Sequence, residues 1–355
     1  MRRHVRLTGA GLLMALCAAC GGGGGSPGSG SATLAAHSST VSLVAGSATE
    51  SGNVDAAGAA ARFNLPTGIA IDSAGNLYVA DRGNCAIRKI APGGSVSTLA
   101  GSSAHCTSQD GSGADAGFAF LTALATGPGN TLYAGDGLRV RAISPAGVVG
   151  TAATLETGAN ISASDVPYFF VGGLAVDAGG NLYVTNGPGT RKITAGGATT
   201  MLDGVASLDS LAGVFTSHAF AARGIAVDSA GIVWIANSDA TISTIDASGK
   251  RTRIAGLSGG PGYADGSGSF AHFGQVTAMT PDGAGNVFAA DSGNSVIRKI
   301  TPAGVVSSVA GTPGATMLQL GATPGGLPAL AGVATDGKGA LYTISGNAII
   351  KVTLP

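Results

Sequence analysis

The sequence predicts an all-β protein: a six-bladed β-propeller of four-stranded antiparallel blades, with an N-terminal strand completing the last blade. Three observations point there. An aromatic residue recurs at intervals of roughly 50–55 residues, at Tyr78, Tyr133, Tyr183, Trp234, Phe288 and Tyr342, the spacing of a repeat architecture. Short Val/Ile/Ala/Leu runs alternate with Gly, Asn and Pro, as strands alternate with tight turns. Composition excludes the competing classes. With 61 Gly in 355 residues, 45% hydrophobic and only 11% charged, the chain is too apolar for disorder and too poor in charge for a coiled coil. A formal net charge of zero argues against a groove for phosphate backbones, so no nucleic-acid partner is expected.

Each blade reads strand by strand. In the first copy, Phe63 to Gly101, a short apolar inner strand (Gly68 to Ile71) precedes an Asp72 to Asn76 turn and an alternating second strand, Leu77 to Ala80. A loop, a third strand (Ala86 to Ile90), a Pro-Gly-Gly turn and a fourth strand (Val96 to Leu99) follow. The turns supply the positive-φ positions that tight hairpins need. Gly68, Ala70, Gly173, Ala175, Gly224 and Ala226 are small enough for the crowded axis. The fifth copy, Phe273 to Gly311, aligns with the first without a gap, and weaker copies start near Phe120, Phe169, Phe220 and Leu327. The second copy has Thr126 in place of the usual turn Asp. The sixth shows only three strands, within 332–352, and Thr40 to Gly46 matches Ser95 to Gly101 closely enough to supply the fourth. That strand closes the ring and removes its edges. On these residues the chain resembles the NHL-repeat family of six-bladed β-propellers. The resemblance implies the fold and leaves activity open, because some such propellers are lyases and many only bind.

The chain before the propeller, which spans 40–355, reads as an address. Arg2, Arg3 and Arg6 precede an apolar run, Leu7 to Ala19, too short to span a bilayer comfortably, and the run ends on Cys17-Ala18-Ala19-Cys20. This resembles a bacterial lipoprotein signal (1–19) with Cys20 as the lipidated N-terminus, although Cys17 stands where that pattern prefers an aliphatic residue. The alternative is an ordinary secretory signal cut near Ala19. Residues 20–39 form a Gly/Ser-rich flexible tether. The expected location is the cell envelope: an outer-membrane-anchored lipoprotein facing the periplasm or the cell surface, or a secreted or periplasmic protein if lipidation fails.

In a four-stranded meander the loops after the second and fourth strands emerge on one face. The long variable segments, from Gly46, Gly101, Leu202 and Gly256 onward, all lie there, and the opposite turns are short. Long polar loops on a rigid scaffold are where binding residues gather. The candidate ligand-binding residues on that face are Asp81, Arg82, Asn84, Asp136, Asn186, Asn237, Asp239, Asp291 and Asn294. The topology also puts Cys85 and Cys106 on this face of one blade, which predicts a disulfide in an oxidising compartment; free thiols are the alternative.

Catalytic chemistry is thinly represented. His105, His218 and His272 lie in loops of different blades without a short-spaced ligand pair, so no metal site is expected. The acids Asp81, Asp136, Asp239 and Asp291 would suit Ca²⁺ at the channel mouth, but Asp81 and Asp291 each precede an Arg (Arg88, Arg298) by seven residues, which favours an ion pair within the blade. The Arg-Lys pairs at 88–89, 191–192 and 298–299 read as a solvated rim. Asp110-Gly-Ser-Gly and Asp265-Gly-Ser-Gly read as turn-shaping segments, with Phe120 or Phe273 then packing between blades. No Ser-His-Asp order or nucleotide-binding Gly loop stands out. The expected function is a monomeric, non-catalytic binding scaffold for a protein, peptide or glycan, without a cofactor. The alternative is a lyase- or lactonase-like enzyme with a metal or an acid/base pair at the channel mouth.

Overall fold

A computed structural model describes residues 39–155, 170–186, 189–203, 224–259 and 261–355. The expected signal and tether, with Cys20, and the positions Phe169, His218 and Phe220 lie outside them. The described chain forms six antiparallel sheets, and its helical content is limited to short 3-10 turns. In blade one, Pro66–Ile71, Leu77–Asp81, Ala86–Ile90 and Val96–Gly101 pair in sequence order, the predicted meander. Around the ring each inner strand touches the next: Pro66–Ile71 packs on Leu121–Thr126 at one side and on Leu330–Thr335 at the other. Closure follows the prediction, for Thr40–Gly46 pairs antiparallel with the last strand, Ala348–Thr353.

Two-residue period explains why these segments bury both faces. Along the second strand of blade one, Leu77 and Val79 pack toward blade six with Ile69 and Ile344, whereas Tyr78 and Ala80 pack toward blade two with Leu121 and Leu124. A fully buried side chain wedges each well-described seam: Phe63 between blades six and one, Phe118 between one and two, Phe273 between four and five, Leu327 between five and six. The wedge of blade two is therefore Phe118. Phe120, assigned that role from sequence, sits two residues later and is only half-buried, because the residue three before each inner strand is the one that turns inward. The Gly that ends the fourth strand makes room for the wedge. Gly101, at φ +86°, would with a Cβ collide with the Cys85 carbonyl and come within 2.8 Å of the Phe118 ring; Gly46 is placed likewise against Phe63.

The structure differs from the sequence reading in two further places. Blades two, five and six carry a fifth, two-residue strand, Gly111–Ser112, Gly266–Ser267 and Gly321–Ala322, paired outside the fourth. The segments read as turns before the inner strand thus cover the edge of their own blade. Thr126 pairs with Leu132 as Ile71 pairs with Leu77, so Gly127 occupies the position of the turn acid Asp72, and Thr126 is an inner-strand residue.

The short-turn face has a repeated clamp. Asp72 Oδ1 accepts the N–H groups of Ala74 and Asn76, while Oδ2 accepts Asn76 Nδ2 at 2.8 Å and the Tyr78 hydroxyl at 3.0 Å. Burial pushes the Asp72 carboxyl up, but these donors outweigh it and hold it below the usual carboxylate range. The Tyr78 phenol is pushed up to about 12 by burial and by its bond to Asp72. Neutral Tyr78 is thus favoured in the folded state, so its contribution is intact below the ordinary phenol pKa of about 10 and is lost as pH rises toward 12. Thermal unfolding followed across that window is expected to show a shallower loss of stability for Tyr78→Phe than for the unsubstituted chain; equal slopes would contradict the assignment.

Candidate functional site

Three of the four predicted acids of the long-loop face, Asp81, Asp136 and Asp291, fall into a repeated buried network. In blade one, Arg88 Nη1 donates to Asp81 Oδ2 at 2.8 Å and Arg88 Nη2 pairs with Asp55; Arg88 and Asp81 are both fully buried. Blade two repeats this with Arg141, Asp136 (2.9 Å) and Asp110 (2.6 Å), and blade five with Arg298, Asp291 (3.2 Å) and Asp265 (2.7 Å). The outer acid of each triad also takes a backbone N–H from the fourth strand, at Thr98, Thr151 or Ser308. Each inner acid takes one from the approach to the inner strand, at Asn64, Phe120 or Gly274. Asn84 and Asn294 complete the pattern, donating to Asp81 and Asp291 at 2.8 Å. Burial pushes the Asp81 and Asp291 carboxyls up against the pull of these donors. The ion pair inferred from the seven-residue offset is present, and the Arg residues read as a solvated rim are instead wholly buried at 88 and 298. Their guanidinium groups lie over Phe63 and Phe273, the guanidinium carbon 5.2 and 5.1 Å from the ring centroids. The lysines that follow stay half-exposed.

The remaining candidates are dispersed. Asn186 is buried at the position of Asp81 in blade three, with no hydrogen-bond partner for its amide among the described residues. Asn237 donates to Thr241 and Ser243, and exposed Asp239 accepts from Thr241. None of the nine lines the axial channel. Its walls come from the inner strands: toward the long-loop face Thr67, Thr122 and Thr277 enclose about 50 Å³, and toward the short turns Ile71, Val176 and Pro281 enclose about 270 Å³. Both linings are uncharged among the described residues. His105 and His272 lie in separate loops, and no three His, Cys, Asp or Glu side chains converge among the described residues.

What gathers at the long-loop end of the inner strands is apolar. The residue just before the strand there is Leu65, Phe120 and Phe170 on blades one to three, Gly224 on blade four, and Gln275 and Ala329 on blades five and six. Leu65 is 65% exposed and held at φ +50°, with its N–H donated to Asn347 of the neighbouring blade. Phe120 and Phe170 meet at 5.0 Å between ring centroids, and the Arg82 guanidinium lies 3.8 Å from the Phe120 centroid. Of this cluster only Arg82 was a sequence candidate. The available signal was a large apolar residue directly before the inner strand, where other blades carry Gln275 or Ala329.

The Cys85–Cys106 disulfide forms as predicted, with Cα atoms 5.3 Å apart and 21 residues of separation, tying the loop that carries Arg82 to the segment leading into blade two. By loop-closure entropy, Cys106→Ser is expected to cost about 3 kcal/mol in denaturant unfolding with the fold retained. A loss near zero would contradict a structural bond.

The NHL-repeat family model matches residues 63–90, from the blade-one wedge through its third strand. No curated protein matches the chain in sequence. Among solved structures, the chain is similar to a protein of unknown function from Bacteroides thetaiotaomicron VPI-5482, with 19% identity, a TM-score of 0.70 and coverage of 89% of this chain and 76% of that one. An auxiliary nutrient binding protein from the same organism superposes with a TM-score of 0.65 at 14% identity, covering 88% and 76%. A streptogramin B lyase does so with a TM-score of 0.56 at 13% identity, covering 90% and 98%. At these identities the likeness is one of fold. The chain is a six-bladed β-propeller whose residues 63–90, within the first blade, match the NHL repeat.

Proposed function

We propose that this chain is an exported, lipid-anchored NHL-repeat propeller that binds a protein, peptide or glycan through its long-loop face without catalysing a reaction. One observation carries the reading: exposed Leu65, the half-buried pair Phe120 and Phe170, and the Arg82 guanidinium over Phe120 place apolar surface and a cation at the long-loop end of the inner strands of blades one to three. The acids Asp81, Asp136 and Asp291 that an acid/base mechanism would draw on are buried against Arg. Export is supported by the disulfide, which persists in oxidising compartments, and by the basic-apolar run ending at Cys20. Auxiliary nutrient binding proteins with this fold, from two Bacteroides species, are compatible with it.

The test is an array of glycans and peptides probed with the soluble propeller, residues 39–355. Phe120→Ala with Phe170→Ala is expected to weaken every hit at least about tenfold, the loss of roughly 1.4 kcal/mol, while Pro302→Ala on the short-turn face leaves hits unchanged. Hits that survive the double substitution, or an array that stays blank, would overturn the reading. Product formed from a bound compound would instead favour the enzyme.

A further inference from the structure

The clamp on the short-turn face varies from blade to blade. Blade two has Gly127 in place of the acid and blade four Ile232 in place of the Asn, and blade six keeps the acid but leaves its second oxygen open. The second oxygen of the turn acid is clamped in blades one, three, four and five: Asp72 by Asn76 and Tyr78, Asp177 by Asn181 (2.7 Å) and Tyr183 (3.1 Å), Asp282 by Asn286 (2.6 Å), and Asp228 by Trp234 Nε1 (3.0 Å). In blade six Ala340 stands where the Asn belongs. Asp336 there accepts only the N–H groups of Lys338 (2.8 Å) and Ala340 (3.0 Å), both on Oδ1. Among the described residues, Asp336 Oδ2 and the Tyr342 hydroxyl have no hydrogen-bond partner, and the Lys338 and Lys351 ammonium groups have no ion pair.

These four groups share one cleft. It lies between blades six and one, encloses about 690 Å³, and has Val44, Ile71 and Pro92 as apolar wall. That volume falls within the range of small-molecule pockets, roughly 300–1,000 Å³. Lys351 Nζ lies over the Tyr342 ring, 5.9 Å from its centre, and both side chains line the cleft. The lining holds two ammonium groups and two carboxylates, but the Asp72 carboxylate is already taken up by its own clamp, so the groups left open are the two cations and Asp336 Oδ2. A simple anion would leave Asp336 Oδ2 facing like charge, and a neutral polyol would leave the lysines unmatched. A ligand with both a carboxylate and a donor meets every group.

We propose that the cleft between blades six and one is a second ligand site, for a small carboxylate carrying its own hydroxyl or ammonium donor, with the carboxylate on Lys338 and Lys351 and the donor on Asp336 and Tyr342. It lies on the opposite face from the channel mouth and stands independently of that reading. Isothermal titration of the propeller with galacturonate and with alanine distinguishes the two ligand sources, and saturation by either supports the site. Ala340→Asn rebuilds the clamp of blades one, three and five. It is expected to weaken binding at least tenfold while thermal stability holds or rises, an outcome a merely structural role for Asp336 does not give. Lys338→Gln, an exposed change that leaves the clamp alone, is expected to weaken binding to a similar degree. Saturable binding unaffected by both substitutions would overturn the proposal, as would no saturation by either probe below about 10 mM.

Discussion

Arg88→Met is expected to destabilise the protein by about 3–5 kcal/mol, the cost of stranding a buried charge. Arg88 is fully buried and serves four partners: Asp81, Asp55, the Asn53 side chain at 3.3 Å and the Arg62 carbonyl at 3.2 Å. Asp81 is buried as completely, so removing the guanidinium leaves a carboxylate whose ionisation burial already opposes. The Asp55 side chain, 46% exposed, is rescued in part by water and suffers less. The loss therefore belongs mostly to Asp81, and Asp81→Leu combined with Arg88→Met is expected to recover much of it, since an apolar pair of similar volume replaces a buried ion pair at little cost. Urea unfolding of the two single variants and the double variant measures this. A single-variant loss below about 1 kcal/mol would show that Arg88 acts as a surface residue.

Phe273→Ala is expected to cost a similar amount, about 3–5 kcal/mol, by a different route. The Phe273 ring is fully buried and joins Trp234, Ile242 and Ala255 of blade four to Met279, Val287 and Ile300 of blade five. Truncation leaves a cavity on the seam, and collapse into it is resisted from both sides because each blade is held by its other neighbour in the closed ring. The Arg298 guanidinium over the ring loses that contact as well. Denaturant unfolding should show the lower midpoint with an unchanged slope; a loss under about 1 kcal/mol would mean that the seam repacks freely.

The blades were legible because their constraints are local. A second strand buried on both faces must present its aromatic at one register, and Tyr78 through Tyr342 mark it; the tight turn must carry Asp and Gly at set places. What lay hidden depends on partners distant in sequence. Nothing near Asp110 indicates that its carboxylate reaches Arg141 and Thr151 across the blade, so it read as a turn residue. Phe118 and Phe120 are equally aromatic, and only the register of Leu121 against Asp136 shows which of them turns inward. The Arg-Lys pairs looked like a rim because burial of Arg88 requires Asp55, thirty-three residues away, to be folded over it. The apolar cluster before the inner strands is hidden for a related reason: polar residues mark a binding loop in sequence, whereas here they are consumed in holding loops, and Leu65 stays exposed with Phe120 and Phe170 half-buried.

The central claim is that the long-loop face, through the Leu65, Phe120 and Phe170 cluster, is the surface that binds. Hydrogen exchange of the propeller with and without its strongest array ligand tests it most directly. Slowed exchange is expected at the residues that open the inner strands of blades one to three, around 64–67, 119–122 and 170–172, and at the Arg82 loop. Protection confined to the short turns, around 72–76 and 336–340, with that cluster unchanged would contradict it.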